Sequence, residues 1–228
     1  LLKHARDLTM AERVGLVGDV NALVASGDLE NGVALSLVAD LAKDKSRHLV
    51  DASIGIVGSV DDMVSDKLRP RYERFIRKLY QARAHELGWS AKKGEGPDAK
   101  ELRPELLGLV AGDGKDPALI KEATALAWKW FDDHKAVDPE LVGTVLHVAA
   151  RYGDQKLFDR IHAEAKKTTE RADRARLLRA LGAFSDPKLV DQALALTLTD
   201  EFDLREASGI MNGAMSDPRT RLKTYSFV

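Results

Sequence analysis

His85-Glu86-Leu87-Gly88-Trp89 opens like a zincin helix, His-Glu-x-x-His, in which two imidazoles one turn apart hold zinc and the glutamate acts as base. Trp89 stands where the second histidine belongs, and Gly88 ends the helix there. One such histidine falls short of the three or four ligands zinc needs. His162-Ala163-Glu164 has the same weakness, and His4, His48, His134 and His147 stand singly. His147 lies on an apolar face, the place of a packed core histidine. Covalent chemistry is no better supplied, because there is no Gly-x-Ser-x-Gly turn and no cysteine to replace a serine. Gly112-Asp113-Gly114-Lys115 lacks the spacing of a phosphate loop and has no strand before it, so a turn is expected. No catalytic residue and no metal ligand is assigned to this chain.

Its cations offer more. One basic run holds Arg69, Arg71, Arg74, Arg77, Lys78 and Arg83, and a second holds Lys166, Lys167, Arg171, Arg174, Arg176 and Arg179. Solvated helix faces are the default explanation. The functional alternative is a positive wall inside a stack of helices that focuses field on peptide carboxylates, which makes Arg174 and Arg176 candidate substrate contacts. Trp128 and Trp130 are two residues apart and cannot share a helix face, so one belongs to the core and the other to a seam. Lys and Arg number 35 against 36 Asp and Glu, a net charge of −1, which argues against a nucleic-acid partner. No apolar run reaches 18 residues, so no membrane span is expected. A chain without thiols suits oxidising and reducing compartments alike.

The elements that position these residues are helices. Asp-Pro occurs at Asp116-Pro117, Asp138-Pro139, Asp186-Pro187 and Asp217-Pro218, each followed by an apolar run at helical spacing. The aspartate can accept from the free N–H groups of a first turn, and proline has the φ that turn needs. Thr9-Met10-Ala11-Glu12 has capping-box spacing, and the stripe from Leu16 to Val24 ends at Gly27. A second helix carries Ala34, Leu37, Val38 and Leu41, and a third runs from a Ser46 cap through Gly58. A longer one covers Asp61 to Leu87, with Arg69-Pro70 forcing a kink or a fresh start. After a loop near 89–100, further stripes recur with linkers as short as Tyr152-Gly153-Asp154, which suit only antiparallel neighbours. The fold class expected is all-α, a curved stack of antiparallel helix pairs resembling a HEAT or armadillo superhelical solenoid, with residues 1–228 one helical-repeat domain. The opening Leu1-Leu2-Lys3-His4 and the apolar finish Thr224 to Val228 suggest a piece cut from a larger protein.

An ordered set of words also runs along the chain. Ala11-Glu12-Arg13, Asp19 and Ala22-Leu23 come before Gly27, then Leu87-Gly88-Trp89 and Glu101-Leu102-Arg103. Later stand Leu178-Arg179-Ala180-Leu181-Gly182, Asp186-Pro187, Leu204-Arg205 and the closing segment from Arg221 to Phe227. In this order they resemble the helical C-terminal domain of zinc aminopeptidases of the aminopeptidase-N, puromycin-sensitive and endoplasmic-reticulum group. The resemblance implies an upstream thermolysin-like domain of the same chain, carrying His-Glu-x-x-His, a later glutamate and the zinc. This domain would be a non-catalytic, metal-free bowl that closes over that site, limits access and contacts peptide substrates. Arg205 and Arg221 are the residues the resemblance carries over. Arg205-Glu206-Ala207-Ser208 keeps the arginine of the family's Arg-x-Gln-Asp without its partners, Tyr225 replaces a tryptophan, and Thr220 stands where glycine is common. For Arg205 an interhelical salt bridge is the structural alternative. A free-standing HEAT-like scaffold that binds a protein or peptide is the competing function.

Overall fold

The computed structural model describes residues 7–227; the opening tetrapeptide with His4, and Val228, lie outside the described residues. Twelve α-helices and no strand occur among the described residues, so the chain is all-α. It divides into two compact units, Leu1–Gly114 and Lys115–Val228. None of the helices is long and apolar enough to cross a membrane.

The first unit contains α1 (Met10–Ser26), α2 (Asn31–Leu41), α3 (Arg47–Ser59), α4 (Arg69–Leu87) and α5 (Pro97–Gly108). Thr9 and Glu12 form the expected capping box: the Thr9 hydroxyl accepts from the Glu12 amide, and the Glu12 carboxylate accepts the Thr9 amide at 2.8 Å. Gly27 ends α1 at φ 81°, a left-handed conformation that glycine adopts without a Cβ penalty. Three local expectations need correction. The Ser46 hydroxyl makes no cap bond to α3; its amide instead donates to Asp44 Oδ1 at 2.9 Å. The long helix expected from Asp61 is a 3-10 turn, Asp61–Met63, followed by a fresh start at Arg69. Pro70 fits the new first turn, and Arg69 ties the two pieces by bonding the Asp61 carboxylate and the carbonyls of Asp61 and Val64. The loop is also shorter than expected, because α5 begins at Pro97. Arg103 of α5, only 1% exposed, pins that loop at both ends: it donates to the Gly88 carbonyl at 3.0 Å and pairs with Glu95. After α5 comes one π-turn, Leu109–Asp113, and the Gly114 amide closes it on the Leu109 carbonyl at 2.8 Å. Gly112 to Lys115 is therefore a helix terminus. Inside the unit Tyr80 donates to Ser53 Oγ at 2.8 Å, and burial pushes its hydroxyl up to about 12.

The second unit contains α6 (Pro117–Asp132), α7 (Val142–Arg151), α8 (Gln155–Lys167), α9 (Arg171–Leu181), α10 (Pro187–Leu196), α11 (Leu204–Ser216) and α12 (Pro218–Phe227). Asp116 accepts from the amides of Ala118 and Leu119, both at 3.0 Å, Asp186 from Lys188 at 2.8 Å, and Asp217 from Arg219 at 2.9 Å. Asp138 behaves differently. Its side chain takes the Glu140 amide in a turn, and α7 begins only at Val142. Helices α6 and α7, α8 and α9, and α11 and α12 pack as pairs, while α7, α9 and α11 lie side by side in one layer. At the α9–α11 contact Gly182 and Gly213 bring the two backbones together. Trp130 fills the core, and Trp128 is half-buried with the Lys156 ammonium 5.3 Å from its ring centroid.

Candidate functional site

The layer of α7, α9 and α11 and the adjoining α12 carry the candidate arginines, which divide into fastened and free. Arg174 is fastened: it donates to Glu206 Oε2 on α11 at 3.0 Å and to the Thr168 carbonyl at 2.8 Å. Arg176 donates to Asp173 Oδ1 at 2.7 Å, three residues back on α9. Arg221 donates to the Met215 carbonyl at 2.9 Å, binding α12 back to the end of α11. Arg205 is different. Its amide donates to the Asp203 cap at 2.9 Å, but its exposed guanidinium has no hydrogen-bond or ion-pair partner among the described residues. Exposed Arg179 lies on α9, whose turn from Ala175 to Arg179 packs close to Gly209 of α11. Three of the four arginines singled out from the sequence are fastened within the unit. Glu206 takes Arg174 and leaves its neighbour Arg205 open.

Several of the other cations in the two basic runs are also structural. Arg69 pairs with Asp61, Arg77 donates to the Gly114 carbonyl, and Arg83 donates to the Asp44 carbonyl at 2.9 Å. Lys166 reaches Glu201 at 3.3 Å, and His162 reaches the same carboxylate at 2.7 Å. The His162 hydrogen bond outweighs burial and, with Lys166, lowers the Glu201 pKa. Arg71, Arg74 and Lys78 are exposed on α4.

Electrostatics beside this layer favour neutral His147. Burial, with the nearby charges of Arg151 and Arg179, pulls its pKa down to about 4 against the opposing pull of Asp217. Asp217 goes the other way for a carboxylate. Burial alone would raise it, but the Arg219 hydrogen bonds and the Arg151 charge hold it at about 2. Arg219 Nη2 lies 2.6 Å from Asp217 Oδ2, and Arg151 Nε lies 3.4 Å from the same oxygen.

One group escaped sequence reasoning. His134, single in the sequence, stacks on Trp130 with centroids 4.1 Å apart and sits between Glu164 and Asp173. The sequence carries no local signal for this stacking, because α6 ends at Asp132 and extended Asp133 takes His134 out of the helical register. Among the described residues no three His, Asp or Glu side chains gather as a group that could hold a metal. Exposed Arg179 and Arg205 leave guanidinium donors on the surface of this unit, groups able to meet an acidic or carbonyl-bearing ligand.

Comparison with known proteins extends the reading beyond geometry. The family model described as the ERAP1-like C-terminal domain matches residues 1–228. Aminopeptidase 2 of Candida albicans is 26% identical over 195 residues, covering 84% of this chain and 21% of that protein. Aminopeptidase M1 of Arabidopsis thaliana is 23% identical over 223 residues, covering 95% of this chain and 25% of that protein. Puromycin-sensitive aminopeptidase of Caenorhabditis elegans is 23% identical over 170 residues, covering 72% and 18%. The chain thus spans about a quarter or less of the length of these curated relatives.

Proposed function

The chain belongs to the ERAP1-like C-terminal domain family, and on that premise we propose that it is the non-catalytic C-terminal domain of a zinc-dependent aminopeptidase. In this reading it closes over the active site and limits the access of peptide substrates. Its partners are the upstream catalytic domain and the peptides that pass beneath it. The observation that carries the reading is the family match along residues 1–228. Zinc would then be held by the upstream domain, where it would polarise the scissile carbonyl and activate water. The residues of this chain contribute binding and exclusion.

Arg205 is the residue proposed to meet substrate. Its guanidinium carries five donors, so a peptide carbonyl or carboxylate could engage it without first breaking an internal ion pair. Arg174 and Arg221 are proposed to act indirectly, by fixing α11 against α9 and α12 against α11. Arg176 could reach a ligand only in competition with its bond to Asp173.

The test uses the parent enzyme, with peptide and single-aminoacyl substrates assayed with and without a zinc chelator. Arg205→Ala is expected to raise KM for peptides by about 5- to 10-fold, the loss of one charge-assisted hydrogen bond. Activity on the single-aminoacyl substrate and Tm should stay unchanged. Unchanged peptide kinetics would remove Arg205 from the substrate path. A parent protein without chelator-sensitive aminopeptidase activity would leave the competing reading, a helical scaffold for a protein or peptide.

A further inference from the structure

Three helices of the second unit converge on one imidazole, His134, two residues past the end of α6. Its ring lies over Trp130, with centroids 4.1 Å apart and planes 10° from parallel. Nδ1 is 3.1 Å from Asp173 Oδ2 on α9, and Nε2 is 3.4 Å from Glu164 Oε1 on α8. Each carboxylate also has an arginine: Arg160 donates to Glu164 Oε2 at 2.9 Å, and Arg176 to Asp173 Oδ1 at 2.7 Å. From the α6 side the charged neighbours are Asp132, 3.8 Å from Arg160, and Asp133, whose carboxylate accepts the Lys135 amide at 2.9 Å. Glu164 is only 3% exposed and Trp130 only 1%, whereas the imidazole itself is 36% exposed, so the ring lies at the edge of the unit with buried partners beneath it.

The chemistry of the ring decides what this arrangement holds. A neutral imidazole has one N–H and one bare lone pair. With a carboxylate oxygen at each nitrogen, the neutral ring can donate to only one and must turn its lone pair towards the other. The imidazolium puts an N–H before both carboxylates and a positive charge over the indole face, a third favourable contact. We propose that His134 is a proton-operated fastener. Charged, it bridges Glu164 of α8 and Asp173 of α9 and holds the connection between α6 and α7 against both helices. Neutral, it keeps Asp173 and releases the longer contact to Glu164, which Arg160 retains. This proposal stands apart from the aminopeptidase reading, since it concerns only the second unit's own packing.

The sign follows from which state binds the proton. The folded chain offers the proton two carboxylates and an aromatic face that the unfolded chain does not. The fastener therefore adds stability at low pH and loses it as pH rises through the window of about 5 to 8 in which histidine changes charge. His147, kept neutral by its surroundings, acts in the opposite direction on acidification. A comparison with a His134 variant is needed to separate the two.

The experiment is an imidazole NMR titration of the 228-residue chain with labelled histidine, alongside Tm against pH for the wild type and His134→Gln. At pH 5.5 both ring N–H protons of His134 are expected to exchange slowly because each faces a carboxylate, and Asp173→Asn should speed exchange at Nδ1. The Tm of His134→Gln should lie roughly 3–6 °C below wild type at pH 5.5, with the gap closing by at least half at pH 8.5. A His134 ring already neutral at pH 5.5, or a Tm gap that does not change with pH, would overturn the proposal. If His134→Gln does not fold, the wild-type and Asp173→Asn NMR measurements decide it alone.

Discussion

Replacing Gly213 by alanine should destabilise the second unit, although alanine is the better helix former. Gly213 is a buried residue inside α11. A Cβ there would fall far inside van der Waals contact with the Arg179 carbonyl oxygen, and at 3.1 Å and 3.2 Å from Cα and C of Gly182. A Cβ on Gly182 would press the Ala214 nitrogen at 2.8 Å in the same way. Backbone atoms cannot rotate away as a side chain can, so α9 and α11 would have to part by roughly 1 Å, forfeiting about a quarter to a half of the dispersion across the seam. Overpacking of this kind costs about 1–3 kcal/mol or more, and the rigid obstacle places it at the upper end. Helix propensity returns at most about 1 kcal/mol, leaving a net loss of about 2 kcal/mol. At roughly 2–4 °C per kcal/mol for a chain of this size, calorimetry should find Tm lower by about 4–8 °C. Gly55→Ala is the control, since Gly55 is exposed within α3 and a Cβ there meets nothing within 4 Å. It should raise Tm by about 1–4 °C. A Gly213→Ala protein as stable as wild type would refute the close-approach argument.

Four further outcomes follow from the same geometry. Asp217 has a folded pKa of about 2, below its ordinary value of 3.8, so its contribution is present above about pH 4 and lost as pH falls through 2. Asp217→Asn should therefore cost about 2 kcal/mol at neutral pH, measured by urea unfolding, with the gap to wild type narrowing below pH 4. His147, at about 4 against an ordinary 6.5, makes folding weaker as pH falls from 6.5 towards 4, and His147→Gln should flatten that limb of the Tm–pH curve. Asp116→Ala removes the acceptor for two amides of α6 and should cost about 1 kcal/mol by chemical denaturation. Arg103→Met should lower Tm and speed amide exchange across residues 89–96, because Arg103 holds both the Gly88 carbonyl and Glu95; unchanged exchange would show that the loop is held by other contacts.

Much of the architecture was legible because its determinants are local. The Thr9–Glu12 box, the Gly27 stop and three of the four Asp-Pro caps act over three or four residues, and the structure has each as expected. Even the local errors have local causes. Ser46 gives its amide to Asp44, the stretch from Asp61 makes only a 3-10 turn before the fresh start at Arg69, and Asp138 spends its side chain on a turn. The ordered words of the chain identified its family, now shown by the match along residues 1–228.

The state of the candidate site was a different matter. Arg174, from a basic run, and Arg205, from the family resemblance, both stood as candidate substrate contacts. Only the packing of α9 on α11 brings Glu206 to Arg174, across 32 residues, and leaves Arg205 open. His134 reads as a lone histidine until α8 and α9 bring it Glu164 and Asp173, the latter 39 residues away. Nothing local to Gly182 or Gly213 in the sequence shows that their backbones meet. Caps and stripes belong to the sequence because a helical turn closes on its own neighbours. The partner of a charge, or the room beside a glycine, depends on which distant helix lies alongside, and only tertiary packing settles that.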